Sequence, residues 1–137
     1  MVRIICGEKG KGKTKIMLQK ANDAVGETDG SIVYLDKNSK HMYELDNGIR
    51  LVDVSEYPIS GLDGIVGFIC GLLSGNHDIQ IVFVDSFLTV SNLDIGGIEK
   101  AIAPLKQISD EVDLVLSISL DEAQIPGSLK EYIEVAL

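Results

Sequence analysis

The sequence contains no Trp, and Phe and Tyr together make up only 5% of its 137 residues. A core built from this chain has to be aliphatic, which suits Ile, Leu and Val strands buried on both faces of a parallel sheet. Cysteine is nearly absent. Cys6 and Cys70 form no C-x-x-C pair and have no Cys/His cluster around them, which excludes a zinc-binding scaffold and points to a reducing compartment. No apolar run approaches the ~18 residues of a membrane span, and the run Met1–Cys6 is far too short for a secretory leader. A soluble, cytoplasmic chain with no membrane partner is therefore expected. Basic residues are scarce too: 12 Lys and Arg stand against 21 Asp and Glu, a net charge of -9. Such a surface repels nucleic acid, so the isolated domain is not expected to bind it.

What is present is a 45% hydrophobic chain of single-domain length. Apolar runs and helical periodicities alternate along it. Val2–Cys6, Ser31–Leu35, Ile49–Val54, Ile79–Val84, Val112–Leu120 and Tyr132–Leu137 read as strands. Lys13–Val25, Gly61–Ser74 and Ile95–Ile108 read as helices, the last kinked or broken early by Pro104. His41–Leu45 fits a short helix or an extended piece, and Ile125–Leu129 a loop with a short turn. In Gly61–Ser74, Gly64, Gly67 and Gly71 share a stripe with the following Gly75. Each helical glycine costs about 1 kcal/mol relative to Ala, so close packing against another element is the expected reason. The alternation predicts a single α/β domain over residues 1–137, a three-layer sandwich around a mainly parallel sheet.

The basic residues are not evenly spread. Gly7-Glu8-Lys9-Gly10-Lys11-Gly12-Lys13-Thr14 satisfies G-x-x-x-x-G-K-[ST] and sits directly between a strand and a helix. In that position, backbone N–H groups of the loop and of the helix N-terminus converge on phosphate oxygens. Gly7, Glu8, Lys9, Gly10, Lys11, Gly12, Lys13, Thr14 and Lys15 are thus the expected nucleotide-binding segment. Lys13 would reach the β- and γ-phosphates, and the Thr14 hydroxyl would ligate Mg²⁺. A dinucleotide reading fails on spacing, because Lys15 stands where a third glycine belongs. The magnesium site needs a carboxylate at the end of a buried strand, and Asp85, after I-Q-I-V-F-V, is placed to supply it.

Lys13/Thr14 with Asp85 resemble the Walker A and Walker B pair of P-loop NTPases. The segment I-V-F-V-D-S-F and the order of parts around it resemble the RecA-like ATPases over roughly residues 1–120. That resemblance implies a RecA-like core, ATP and Mg²⁺ as ligands, and catalytic roles for Lys13 and Asp85. It also implies a polar sensor at Ser117 or Ser119. Relatives in that group carry a catalytic Glu two residues beyond the acid that ends the second strand. Here Asp36-Lys37-Asn38 puts Asn38 there, and Asn cannot accept a proton from water. Asp36, Glu44 and Glu56 are the substitutes at hand, though each reads better as a solvated surface acid. Arg3 and Arg50 are the only arginines. His41 and His77 stand alone without matching ligands.

The expected function is Mg²⁺-ATP binding with weak or partner-dependent hydrolysis, completed by a protein partner or by a second copy. A nucleotide-responsive module without turnover is the alternative. A small-molecule kinase ranks third, because no arginine follows Arg50 to form a lid.

Overall fold

The computed structural model describes residues 1–137. Six strands, β1 (Val2–Cys6), β2 (Ser31–Asp36), β3 (Ile49–Asp53), β4 (Ile79–Val84), β5 (Asp113–Ile118) and β6 (Ile133–Ala136), form one sheet in the order β3-β2-β4-β5-β1-β6. Every pairing is parallel, so all six carboxyl ends open on one edge. Parallel strands need crossovers, and the helices that supply them cover both faces. Helix α1 (Lys13–Val25) buries Met17, Leu18, Ala21 and Ala24 against Ile5, Ile32, Tyr34, Phe83 and Val115 on one face. Helices α2 (Gly61–Gly75), α3 (Phe87–Val90) and α4 (Ile102–Ile108) cover the other face, where Ile65, Ile69, Phe87 and Leu105 meet Ile4, Val33, Val82 and Leu114. This is the α/β three-layer sandwich that the alternation predicts.

The boundaries shift where local chemistry decides them. Strand β2 continues through Asp36, β3 ends at Asp53, β5 is shorter than its apolar run, and β6 begins one residue after Tyr132. The helix expected over Ile95–Ile108 is a 3-10 segment to Ala101 followed by α4. This places Pro104 in the first turn of α4, where its missing N–H leaves no hydrogen bond unmade. The undecided stretch around His41 holds a 3-10 turn at Met42–Glu44, and another 3-10 segment spans Gly127–Tyr132. Helix α3 was not visible in the sequence, because four residues carry no periodicity.

The glycine stripe of α2 does not pack closely, contrary to the expectation from its spacing. A Cβ added at Gly67, Gly71 or Gly75 would meet nothing within 4 Å, and only Gly64 faces a near neighbour, Ile59 Cγ2 at 3.1 Å. Gly67→Ala and Gly71→Ala should each therefore stabilise the fold, by about 0.5–1 kcal/mol through helix propensity alone. Gly30→Ala should destabilise it, since the new carbon would lie 2.5 Å from the Asp78 carbonyl oxygen. Urea unfolding of the three variants checks both signs.

Candidate functional site

The loop between β1 and α1 curls because three of its glycines take backbone angles closed to most side chains: Gly7, Gly10 and Gly12 have φ of 155°, 88° and 95°. Gly12 is the N-cap of α1, and no side chain caps that end; its first turn also lacks an acid. The leading N–H groups of α1 are thus left for an external acceptor. Lys13 is buried at 8% exposure and its Nζ donates to the Glu8 carbonyl at 3.1 Å, bridging the loop it follows. Burial lowers the Lys13 pKa, while Asp85 and Cys6 oppose that shift.

Asp85 follows β4 and is 2% exposed. Strand β5 lies between β4 and β1, so Asp85 and the loop face each other across one intervening strand end. Its carboxylate is fixed from both sides. The Tyr34 hydroxyl of β2 donates to Oδ2 at 2.8 Å, and the Ser117 hydroxyl of β5 donates to Oδ1 at 2.5 Å. Ser86 adopts a left-handed conformation, φ 55°, which turns its N–H back onto Asp85 Oδ1 and Ser117 Oγ. A non-glycine residue in that region costs on the order of 1 kcal/mol, offset here by the two bonds it makes. The Tyr34 hydroxyl pKa is raised, chiefly by burial and then by the charge of Asp85, so the tyrosine stays protonated and remains a donor.

The loop and Asp85 open into one cleft of about 530 Å³ at the carboxyl edge. Its lining comprises Lys9, Gly10, Gly12, Lys13, Thr14, Lys37, Asp85, Ser86, Thr89, Ser117 and Ser119, with no hydrophobic residue among them. Of the expected segment, Lys9, Gly10, Gly12, Lys13 and Thr14 reach the cleft. Gly7 is buried behind it, Glu8 contributes its carbonyl to Lys13, and Lys11 and Lys15 are exposed outside the lining. Ser117 and Ser119 both line it, Ser117 through the bond to Asp85. Asn38, Glu44 and Glu56 do not line it. Lys37 and Thr89 also line the cleft and Tyr34 braces Asp85, although no sequence motif marks any of the three. The alternation along S-I-V-Y-L-D puts Tyr34 on the sheet face shared with Asp36, but does not mark Asp85 as the partner of its hydroxyl.

Asp36 ends β2 at 2% exposure, and its Oδ2 has no hydrogen-bond partner; Oδ1 accepts the Lys37 N–H at 2.7 Å. Burial first and the Asp85 charge second push its pKa up to about 6, against the lesser opposing pull of the Lys37 N–H, His41 and Lys37. A carboxyl raised above its ordinary value of 3.8 makes the folded state bind more protons than the unfolded one across that interval. Stability of the metal-free protein should therefore fall as pH rises from about 4 to 6, by on the order of 2–3 kcal/mol from this group. Asp36→Asn should remove that part of the slope; urea midpoints at pH 4.5 and 7 for both proteins test it.

No group of three or more His, Cys, Asp or Glu is arranged to hold a metal ion. A hydroxyl at Thr14 and a single carboxylate at Asp85 nevertheless suit Mg²⁺, which is commonly held by one or two carboxylates together with substrate phosphates and water. Other clefts lack this chemistry. The one at the opposite edge, about 300 Å³, is lined by Arg3, Lys20, Asp23, Glu27, Asp113 and Glu134 among others and has no glycine-rich loop.

No protein-family model and no curated protein matches this sequence. Among solved structures it is similar to the flagellar accessory protein FlaH from Methanocaldococcus jannaschii, with a TM-score of 0.57 at 12% identity. The match covers 93% of this chain and 63% of that one. At this identity the likeness speaks for the fold alone, an α/β fold around a parallel sheet. No helix of the structure is long and apolar enough to cross a membrane.

Proposed function

We propose that this chain is a single P-loop domain that binds Mg²⁺-ATP at the carboxyl edge of the sheet and hydrolyses it slowly when alone. One observation carries the reading: the Gly7–Thr14 loop and the buried Asp85 open into the same wholly polar cleft. In it the N–H groups of Gly10, Gly12 and the first turn of α1 receive phosphate oxygens, and Lys13 leaves the Glu8 carbonyl to do the same. Thr14 and Asp85 would hold Mg²⁺, Asp85 through water because both of its oxygens already accept protein hydrogen bonds. When bound, the ion would supply neutralisation of the charge developing on the phosphates. The Tyr34 and Ser117 hydroxyls hold the Asp85 carboxylate in a fixed orientation, which is the preorganisation such a site requires. A protein partner or a second copy would complete it. The compartment proposed is the cytoplasm.

Turnover is expected to be slow because Asp85 is the only carboxylate lining the cleft, and it is occupied as an acceptor. Asn38 lies outside the lining and cannot take a proton from water. The same observation favours the second reading, a module whose surface responds to nucleotide occupancy without useful turnover. Phosphate release from Mg²⁺-ATP by the wild type and by Asp85→Asn separates the two. Release above the variant's background supports an ATPase, and tight binding without such release supports the module.

A further inference from the structure

The lining of the cleft reverses the charge of the chain. Three of the ten lysines line it (Lys9, Lys13 and Lys37) against one of the 21 acids, Asp85. Lys9 lies in the loop and Lys13 opens α1 directly after it, whereas Lys37 comes from the opposite wall, directly after β2. Strands β5 and β4 separate β1 from β2, so about 14 Å of sheet edge lies between the two walls, at three strand spacings. A phosphate chain seated on the loop and running toward Asp85 would extend part of the way across that gap and bring its far end toward the reach of the Lys37 side chain.

The backbone of Lys37 is held in place. Its N–H donates to Asp36 Oδ1 at 2.7 Å, and Asn38 Oδ1 accepts the Lys40 N–H at 3.0 Å to turn the chain away. The ammonium group has no such tie. No carboxylate oxygen lies within 4.0 Å of it, although Asp36 is its neighbour in sequence, and the side chain donates no hydrogen bond. A lysine fixed at its root, free at its tip and set in a cationic cleft is suited to an anionic ligand.

We infer that Lys37 is a second phosphate ligand, supplied by the chain itself, which engages the terminal phosphate of a nucleoside triphosphate from the wall opposite Lys13. The inference rests on the phosphate-cradle reading above. It assigns to Lys37 the distinction between triphosphate and diphosphate, since the triphosphate reaches one phosphate further toward the Lys37 wall. Lys13, rooted at the loop, serves both.

The test is calorimetric titration of Mg²⁺-ATP and Mg²⁺-ADP into the wild type, Lys13→Ala, Lys37→Ala, Lys37→Arg and Lys40→Ala. Lys40 is an exposed lysine on the same turn but outside the cleft lining. Lys37→Ala should lose about tenfold in ATP affinity, the scale of one charge-assisted bond, with ADP affinity held within about twofold. Lys37→Arg should retain most of the ATP affinity, and Lys40→Ala should match the wild type. Equal losses for ATP and ADP, or a Lys40→Ala loss as large as that of Lys37→Ala, would reduce Lys37 to a diffuse charge and overturn the inference. ATP binding that Lys13→Ala abolishes and Lys37→Ala leaves intact would overturn it while sparing the cradle. A wild type that binds neither nucleotide would overturn both.

Discussion

Lys13→Ala should lower the affinity for Mg²⁺-ATP by about a hundredfold or more while leaving the fold intact. The size follows from removing a largely desolvated cation from a charge-assisted contact, whose loss typically costs a few kcal/mol. The selectivity follows from what Lys13 does in the free protein. Its ammonium makes one hydrogen bond to the protein, to the Glu8 carbonyl, and forms no ion pair with Asp85 within 4.0 Å. Burial already lowers its pKa, so the charged lysine sits there at a cost and its removal does not threaten stability. Titration calorimetry should show the lost affinity, and thermal unfolding should show a midpoint within a few degrees of the wild type. Unchanged affinity would remove the phosphate-cradle assignment.

Asp85→Ala should act on two properties together. In the folded protein its carboxylate accepts from Tyr34 and Ser117, both buried at 0% and 1% exposure. Deleting it leaves two buried hydroxyls without their acceptor, each worth about 1–3 kcal/mol of desolvation. Relief of Asp36 from a neighbouring charge offsets part of this, so a net loss of roughly 2 kcal/mol is expected. Binding should change in a way that destabilisation alone does not produce: the gain in ATP affinity on adding Mg²⁺ should disappear. Asp85→Asn separates the effects. It keeps an acceptor for one hydroxyl and should recover much of the stability, while the magnesium dependence stays lost. The Asp36 pKa should also drop in Asp85→Asn, which carbon-detected NMR of the side-chain carboxyl would report.

The sequence shows this site unevenly, for physical reasons. The loop is legible because its curl demands glycine at set positions, Gly7, Gly10 and Gly12 at positive φ, and a demand on the backbone leaves a linear motif. Asp85 is legible because a charge ending a run such as I-Q-I-V-F-V has to be at the sheet edge. The strand order, and with it the arrival of Lys37 opposite Lys13, is not legible, since it depends on β4 and β5 inserting between β1 and β2. Nor is the inward turn of the Tyr34 hydroxyl toward Asp85, which lies 51 residues away. The α2 stripe misleads in the other direction. Glycine spacing reads the same whether the face is crowded or open, and here Gly67 and Gly71 look onto open space.

The central claim is that nucleotide binds at the carboxyl edge, between the loop and Asp85. Amide chemical-shift mapping of the full chain during Mg²⁺-ATP titration tests it directly. Saturable shifts concentrated at Gly10, Gly12, Thr14, Lys37 and Ser86 are the predicted result. Shifts centred on the opposite edge, around Arg3, Glu27 and Asp113, or no saturable shifts at all, would contradict it.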